Sequence, residues 1–424
     1  MKILKQLILL LLAIIILPLN SCNKSDEPQP EPLPESTEHT LICYLSGFSL
    51  NYFYYKNIDM MKAALRTLSL EDKALQDKVR VIYIFQGASL DKAYMYELEF
   101  KDGLCESSAE PIATYNLPER IEAEDITYFI SEAIRYAPAR SYGLILGGHS
   151  RGWLPISTSG SIAQEHPQLQ TPKTMLDNQL WVKDKDALMT RFFGDIPKAT
   201  NNYFSCIEIA DLARGLEATG VKFEYSIYDA CFMANVETLY ELRNTTKYAI
   251  GSVSEIMGAG FPYETVIPHL LGTQGKSFDL DGVCKAYKEY YAVEYGYSGS
   301  VSLIDMSELE ALARAFKQVR ATGLRDDINA RVYQRYDGLY EPLFIDLGEY
   351  VKLAATDERA KDDFIAQFDK SVLSRYTLSS YYSAWGTSGK YSISDSSYHG
   401  LSTSYPSELY RDEYYQTAWY RDTM

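Results

Sequence analysis

The chain has 424 residues, with 46% hydrophobic and 23% charged side chains and a formal net charge of −16. That acidity argues against a nucleic-acid partner, because such binding rests largely on neutralising phosphates with Lys and Arg. The hydrophobic share is that of a soluble globular protein, and about 385 residues beyond the N-terminal segment exceed what one core usually holds, which predicts one large domain and a smaller one.

The first 21 residues read as a signal peptide. Lys2 and Lys5 form a basic head, and Leu7 to Leu19 is an apolar run broken only by Pro18. A spanning helix needs about 20 apolar residues, so this run fits a secretory signal better than a membrane span. It ends in Leu19-Asn20-Ser21-Cys22, which resembles the bacterial lipobox, with Cys22 as the lipidated residue. Residues 22–39 are then a Pro/Glu-rich tether with Leu33 as its one large apolar residue, too polar to offset its ordering entropy. The acidic group just after Cys22 also resembles the surface-export signal of some bacterial lipoproteins. An outer-membrane lipoprotein of the cell envelope is expected, its periplasmic or surface exposure left open.

The folded part opens with strands and helices in alternation. Strands are predicted at Thr40–Leu45, Val79–Phe85, Ala93–Phe100, Tyr142–Leu146 and Phe223–Tyr228, and helices at Asn57–Leu68, Glu122–Tyr136 and Ile207–Ala218. Strands separated by helices predict an α/β sandwich whose mostly parallel sheet is covered on both faces, with functional loops at the carboxyl ends of the strands. Residues 152–202 lack periodicity and read as a lid or activation loop within a catalytic domain at 40–299. A smaller α+β subdomain is expected at 300–424, with a strand at Ser300–Ile304, a helix at Ser307–Thr322 and Tyr/Ser-rich strands including Gly400–Pro406. With Cys22 lipidated, Cys43, Cys105, Cys206, Cys231 and Cys284 remain, an odd number that leaves at least one thiol free. Their spacing suggests no zinc site.

Two predicted strands deliver reactive side chains to the same edge of the sheet. Tyr142–Leu146 leads through two glycines to His149, and Phe223–Tyr228 leads to Asp229-Ala230-Cys231. A thiolate is a nucleophile, and a nearby imidazole both assists it and protonates the leaving amine. Backbone N–H groups of Ser150 and Cys231 at these turns are candidates for holding the oxyanion. A rival reading uses the same residues: Gly148-His149-Ser150-Arg151-Gly152 is a formal nucleophile elbow with Ser150 as a serine nucleophile. That elbow must run into a helix, whereas here Trp153-Leu154-Pro155 leads into the polar loop.

The pair of turns resembles the clostripain family of cysteine peptidases, whose fold is caspase-like. Ile250–Tyr263, Phe344–Gly348 and His399–Ser402 resemble further family stretches, so the likeness covers roughly residues 40–406. The resemblance implies Cys231 as nucleophile and His149 as its partner. It makes Asp229 the acid of the S1 pocket, selecting Arg or Lys before the scissile bond, with Glu255 in the same pocket. A buried carboxylate favours a cation through charge-assisted hydrogen bonds. The resemblance also implies activation by a cut in the 152–202 loop, with Lys173, Lys183, Lys185, Arg191 and Lys198 as candidate sites. Calcium enters through the resemblance only, no EF-hand loop being present; otherwise no cofactor is expected, and the partners are a protein or peptide substrate and a membrane held through Cys22. Two departures stand out: the family usually has Gly where Ser150 stands, and Arg151 places a cation where it could disfavour basic substrates. The alternative class is a silent surface lipoprotein that binds peptide or glycan through its tyrosines.

Overall fold

Apolar residues that alternate along the strands bury both faces of one sheet. In the computed structural model, which describes residues 36–155, 207–272, 277–385, 389–405 and 410–424 apart from Ala88, Leu90, Glu119 and Asp326, fourteen strands are formed among those residues. They are β1 (Thr37–Leu45), β2 (Val79–Phe85), β3 (Lys92–Lys101), β4 (Leu104–Ser107), β5 (Ala113–Asn116), β6 (Ala139–Gly147) and β7 (Phe223–Asp229). β8 (Thr246–Gly251), β9 (Val301–Asp305), β10 (Phe344–Asp346), β11 (Val372–Tyr376), β12 (Ser380–Ser383), β13 (Gly389–Ser392) and β14 (Ser402–Ser404) follow. The signal peptide, most of the tether, Cys22, Cys206 and the five candidate cleavage sites lie outside the described residues.

The ten-stranded main sheet runs β11-β9-β8-β7-β6-β1-β2-β3-β4, with β5 on β3. Its centre, β8-β7-β6-β1-β2, is parallel, and antiparallel strands extend both edges. Strand order reverses between β1 and β6, and crevices at such reversals are where open α/β sheets bind ligands. Leu41, Cys43 and Leu45 of β1 enter one hydrophobic cluster, while Ile42 and Tyr44 enter the other, the period-two alternation of a strand. Helices α1 (Asn51–Glu71), α2 (Ala123–Tyr136), α3 (Ile209–Ala218), α4 (Val236–Glu241), α5 (Tyr263–Leu270), α6 (Leu280–Glu294) and α7 (Leu309–Thr322) supply the outer layers. Tyr54 and Met61 of α1, Val266 of α5 and Tyr287 of α6 cover the first cluster. Phe129 of α2, Leu216 of α3 and Phe316 of α7 cover the second. The expected α/β layering is the one observed.

Two expectations need correction. Helix α1 begins at Asn51, six residues before the predicted start at Asn57, because a 3-10 turn at Phe48–Leu50 feeds it directly. The expected boundary at residue 300 does not separate two cores. Glu35–Met424 is one compact unit, and β9 and β11 complete the main sheet by pairing antiparallel beyond β8, which covers its edge.

Buried carboxylates hold the C-terminal part together and, through Glu237, tie it to the rest. Glu237 accepts hydrogen bonds from Thr403 Oγ1 at 2.7 Å and from the Ser404 amide at 3.0 Å. Asp346 accepts from Tyr336 Oη at 2.6 Å and from His399 at its amide and Nδ1, both at 2.8 Å. Asp337 accepts three backbone amides, from Leu339, Leu343 and Phe344, yet burial still pushes its carboxyl up to about 6.

At the opposite end of β1, His39 is buried with Nε2 2.9 Å from Tyr225 Oη. Tyr225 donates its own proton to the Leu270 carbonyl at 2.7 Å, so the imidazole donates to the phenol. Gly143 is required here, since a Cβ on it would meet the Tyr225 hydroxyl at 2.3 Å. Desolvation lowers the His39 imidazole to about 4. Because the folded value lies below the unfolded one, near 6.5, the neutral ring stabilises the fold above pH 6.5, and this contribution is lost as pH falls to about 4. The linkage is worth on the order of 3 kcal/mol. Urea midpoints measured across that window will fall less steeply for His39→Gln than for the parent; parallel slopes would show that His39 does not titrate with unfolding.

Candidate active site

Strands β6 and β7 lie side by side in parallel register, with Gly147 opposite Asp229. His149 and Cys231 each stand two residues beyond that pair, so both turns leave the sheet at the same edge. The Gly148 amide reaches the Asp229 carbonyl at 3.3 Å and continues the ladder one residue past the strands. On the other side of β6, the Ser46 amide donates to the Gly147 carbonyl at 2.8 Å, so the loop after β1 joins the same edge. His149 is half-buried there, with Nε2 2.7 Å from Ser49 Oγ.

The cysteine turn is strained and held from several sides. Phe232 adopts φ 59°, the left-handed region, which costs a non-glycine residue roughly 1–2 kcal/mol. Its amide donates to the Ser254 carbonyl at 3.1 Å, and the Ala234 amide to the Ser252 carbonyl at 2.9 Å. The Phe232 ring packs 4.7 Å from Trp385 and 5.1 Å from Phe344, between centroids. Strain of this kind persists where the surroundings over-determine the conformation, and it clusters at active sites. Cys231 is wholly buried, and the Ile256 amide donates to its Sγ at 3.4 Å. Beyond the turn, the Asn235 side chain caps α4 by accepting the Thr238 amide at 3.0 Å.

Cys231 differs from the other described cysteines. Cys43, Cys105 and Cys284 are buried and outside disulfides. Burial pushes the Cys105 thiol up to about 11 and the other two further above their ordinary range, which keeps all three protonated. All four described cysteines belong to one hydrophobic cluster, and of these Cys231 alone follows the carboxyl end of a parallel strand of the main sheet.

The two acids expected in one pocket are both buried, and each has protein partners. Asp229 Oδ2 accepts a hydrogen bond from Tyr263 Oη at 2.7 Å. Glu255 Oε1 accepts from Ser383 Oγ at 2.5 Å and from the Ala384 amide at 2.8 Å, which ties it to the hairpin of β12 and β13. Glu255 immediately precedes the residue whose amide meets the Cys231 sulfur. Ser150 uses its hydroxyl locally, accepting from the Gly152 amide at 3.0 Å and lying 3.0 Å from Met233 Sδ. Arg151, expected as a cation at the cleft, is instead buried, donating to the Pro155 carbonyl and Tyr410 Oη, each at 3.2 Å. Its guanidinium fastens the histidine turn to the C-terminal residues through Tyr410. Ser49, Tyr263 and the Ile256 amide escaped the sequence reading; a Ser two residues after Gly47, just past the first predicted strand, was the one available signal for Ser49. Among the described residues no group of three or more His, Cys, Asp or Glu side chains is placed to hold a metal ion.

Residues 179–414 match the family model of the clostripain family, more than half of the chain. The solved structure of a secreted cysteine protease from Bacteroides thetaiotaomicron, named iotapain, is 28% identical with a TM-score of 0.74, covering 92% of this chain and 100% of that one. A secreted cysteine protease from the same organism, in complex with an irreversible peptide inhibitor, is 24% identical with a TM-score of 0.70 over 91% of this chain and 99% of its own. An inactive zymogen protease from Parabacteroides distasonis is 22% identical, also with a TM-score of 0.70, over 92% and 99%. These last two speak to the fold alone. No curated protein was found to match.

The local bonding of Ser150 separates the two nucleophiles. Ser150→Ala removes the bond accepted from the Gly152 amide and the one donated to Met233 Sδ, and will cost about 1–2 kcal/mol of stability, read from denaturant midpoints. Hydrolytic activity will persist in the same preparation; its complete loss would return the nucleophile to Ser150.

Proposed function

Since the chain belongs to the clostripain family and is a cysteine peptidase, we propose that it cleaves after Arg or Lys, with Cys231 and His149 as the catalytic dyad. The observation that carries this reading is the shared edge of β6 and β7, where both residues follow in-register strand ends by the same two positions. His149 takes the thiol proton, and Sγ attacks the carbonyl carbon of the scissile bond. The oxyanion formed on the carbonyl oxygen is held by the backbone N–H groups of Cys231 and Ser150. Collapse breaks the C–N bond, His149 protonates the departing amine, and a thioester on Cys231 remains. Water, deprotonated by His149, hydrolyses it and restores the thiol.

Asp229 is the pocket acid in this reading. It sits at the end of β7, fully buried, with one oxygen oriented by Tyr263. A fixed carboxylate out of water discriminates a cation from a neutral side chain, because a neutral occupant leaves the charge unpaired. Glu255 is the second acid of this reading, its carboxylate held by Ser383 and Ala384. The complete burial of Cys231 in the uncut chain supports activation by self-cleavage within 152–202. Export and anchoring through lipidated Cys22 follow from the signal-like N-terminus, and the similar Bacteroides thetaiotaomicron protease is described as secreted.

An acyloxymethyl ketone carrying Arg or Lys will form an adduct that mass mapping places on Cys231, and Cys231→Ala will abolish both adduct and self-cleavage. Labelling at another residue would remove Cys231 from the mechanism. Asp229→Asn will lower kcat/KM for Arg and Lys peptides by about 10- to 100-fold, the worth of a charge-assisted hydrogen bond, while sparing neutral peptides. An unchanged preference would show that another group selects the cation.

A further inference from the structure

A histidine that serves as base needs its ring oriented and its tautomer fixed by a third group. The loop after β1 provides one. Ser49 Oγ lies 2.7 Å from His149 Nε2, across 100 residues of sequence. We propose that Ser49 is a positioning residue that accepts the Nε2–H of His149 and so presents Nδ1 as the base for the Cys231 thiol. The proposal rests on the dyad reading above.

The loop is built to hold that hydroxyl still. The Ser46 amide is bonded to the Gly147 carbonyl at 2.8 Å, and the Gly47 amide to Gln86 Oε1 at 3.2 Å. Gly47 takes φ 121°, and the Leu50 amide closes the turn onto its carbonyl at 3.1 Å. Tyr54 Oη donates to the Ser46 carbonyl at 2.8 Å, and Asn51 donates to the Gly87 carbonyl. The Gly47 position also faces the ring: a Cβ built there would touch His149 Cδ2 at 3.6 Å. The imidazole is thus set against the loop and hydrogen-bonded at its tip, at the sheet edge where strand order reverses between β1 and β6.

The chemistry follows from the two ring nitrogens. A neutral imidazole carries one proton, and whichever nitrogen lacks it is the base. With Nε2–H donated to the Ser49 oxygen, Nδ1, a buried atom, holds the lone pair that removes the thiol proton. The resulting imidazolium keeps its Nε2–H bonded to the same oxygen. A hydrogen bond to the charged form favours it, so Ser49 raises the pH at which the imidazolium deprotonates.

The test compares kcat, KM and pH profiles of full-length Ser49→Ala and Ser49→Thr with the parent, using the peptide amide that the parent cleaves fastest, with His149→Ala alongside. Loss of one neutral hydrogen bond and of tautomer control should lower kcat in Ser49→Ala about tenfold, with KM nearly unchanged. The acidic limb of its profile, set by protonation of the His149 base, should move to lower pH, and Ser49→Thr, which keeps the hydroxyl, should recover most of both. Parent-like kcat and pH profile in Ser49→Ala, beside an inactive His149→Ala, overturns the role of Ser49 alone. Parent-like activity in His149→Ala overturns the dyad, and Ser49's role with it. A Thr variant that folds but stays as slow as Ala also overturns the proposal, since the hydroxyl would then not be the operative group.

Discussion

The parallel pairing of β6 with β7 is the constraint on which everything else depends. A parallel ladder fixes which residues are opposite, and slipping it by one position would send each side chain to the other face. Gly147 opposite Asp229 therefore decides that imidazole, thiol and carboxylate meet at one edge. The register is itself secured by burial. Leu144 and Leu146 of β6 pack in one cluster while Ile145 packs in the other, as Tyr228 and Ile227 do for β7, so neither strand can shift without exposing apolar area.

The site's strain and its buried charge are carried by elements distant in sequence. The left-handed Phe232 is clamped by Ser254 from the chain just past β8 and by the rings of Phe344 and Trp385 from beyond residue 340. Buried carboxylates act as fasteners in the same region. Glu237, six residues past the cysteine, binds Thr403 and Ser404, and Glu255 binds Ser383 and Ala384. Each gives up hydration, which raises Glu237 above the usual carboxylate range, and regains part of it from amides and hydroxyls. The residues after 300 are thus part of the frame that holds the cysteine turn, which explains why the chain folds as one unit from Glu35 onward.

The 36 tyrosines of the chain, an unusually large number, are in large part core residues. Tyr225, Tyr263, Tyr287, Tyr291 and Tyr336 are fully buried, packed apolar on one side and spending a hydroxyl on an internal partner in most cases, as with Tyr263 on Asp229 and Tyr336 on Asp346. Such residues fill wide gaps between sheet and helices while satisfying polar atoms that aliphatic side chains could not reach. The separate binding surface that their number suggested is not required to account for them.

The amino-acid sequence by itself determined the alternation of strands and helices, the apolar faces of the sheet, and the two turns that carry His149 and Cys231. Those features are local: period-two burial, helical spacing and a polar residue placed straight after an apolar run are all legible within a window of a dozen residues. The tertiary structure alone decided what surrounds them. That Ser49 meets His149, that Tyr263 orients Asp229, that Arg151 turns inward to Tyr410 and that strands beyond residue 300 complete the sheet all depend on contacts between positions far apart in the chain. No local pattern encodes such pairings, because they are selected by how whole layers pack and by the need to satisfy each polar group that packing removes from water.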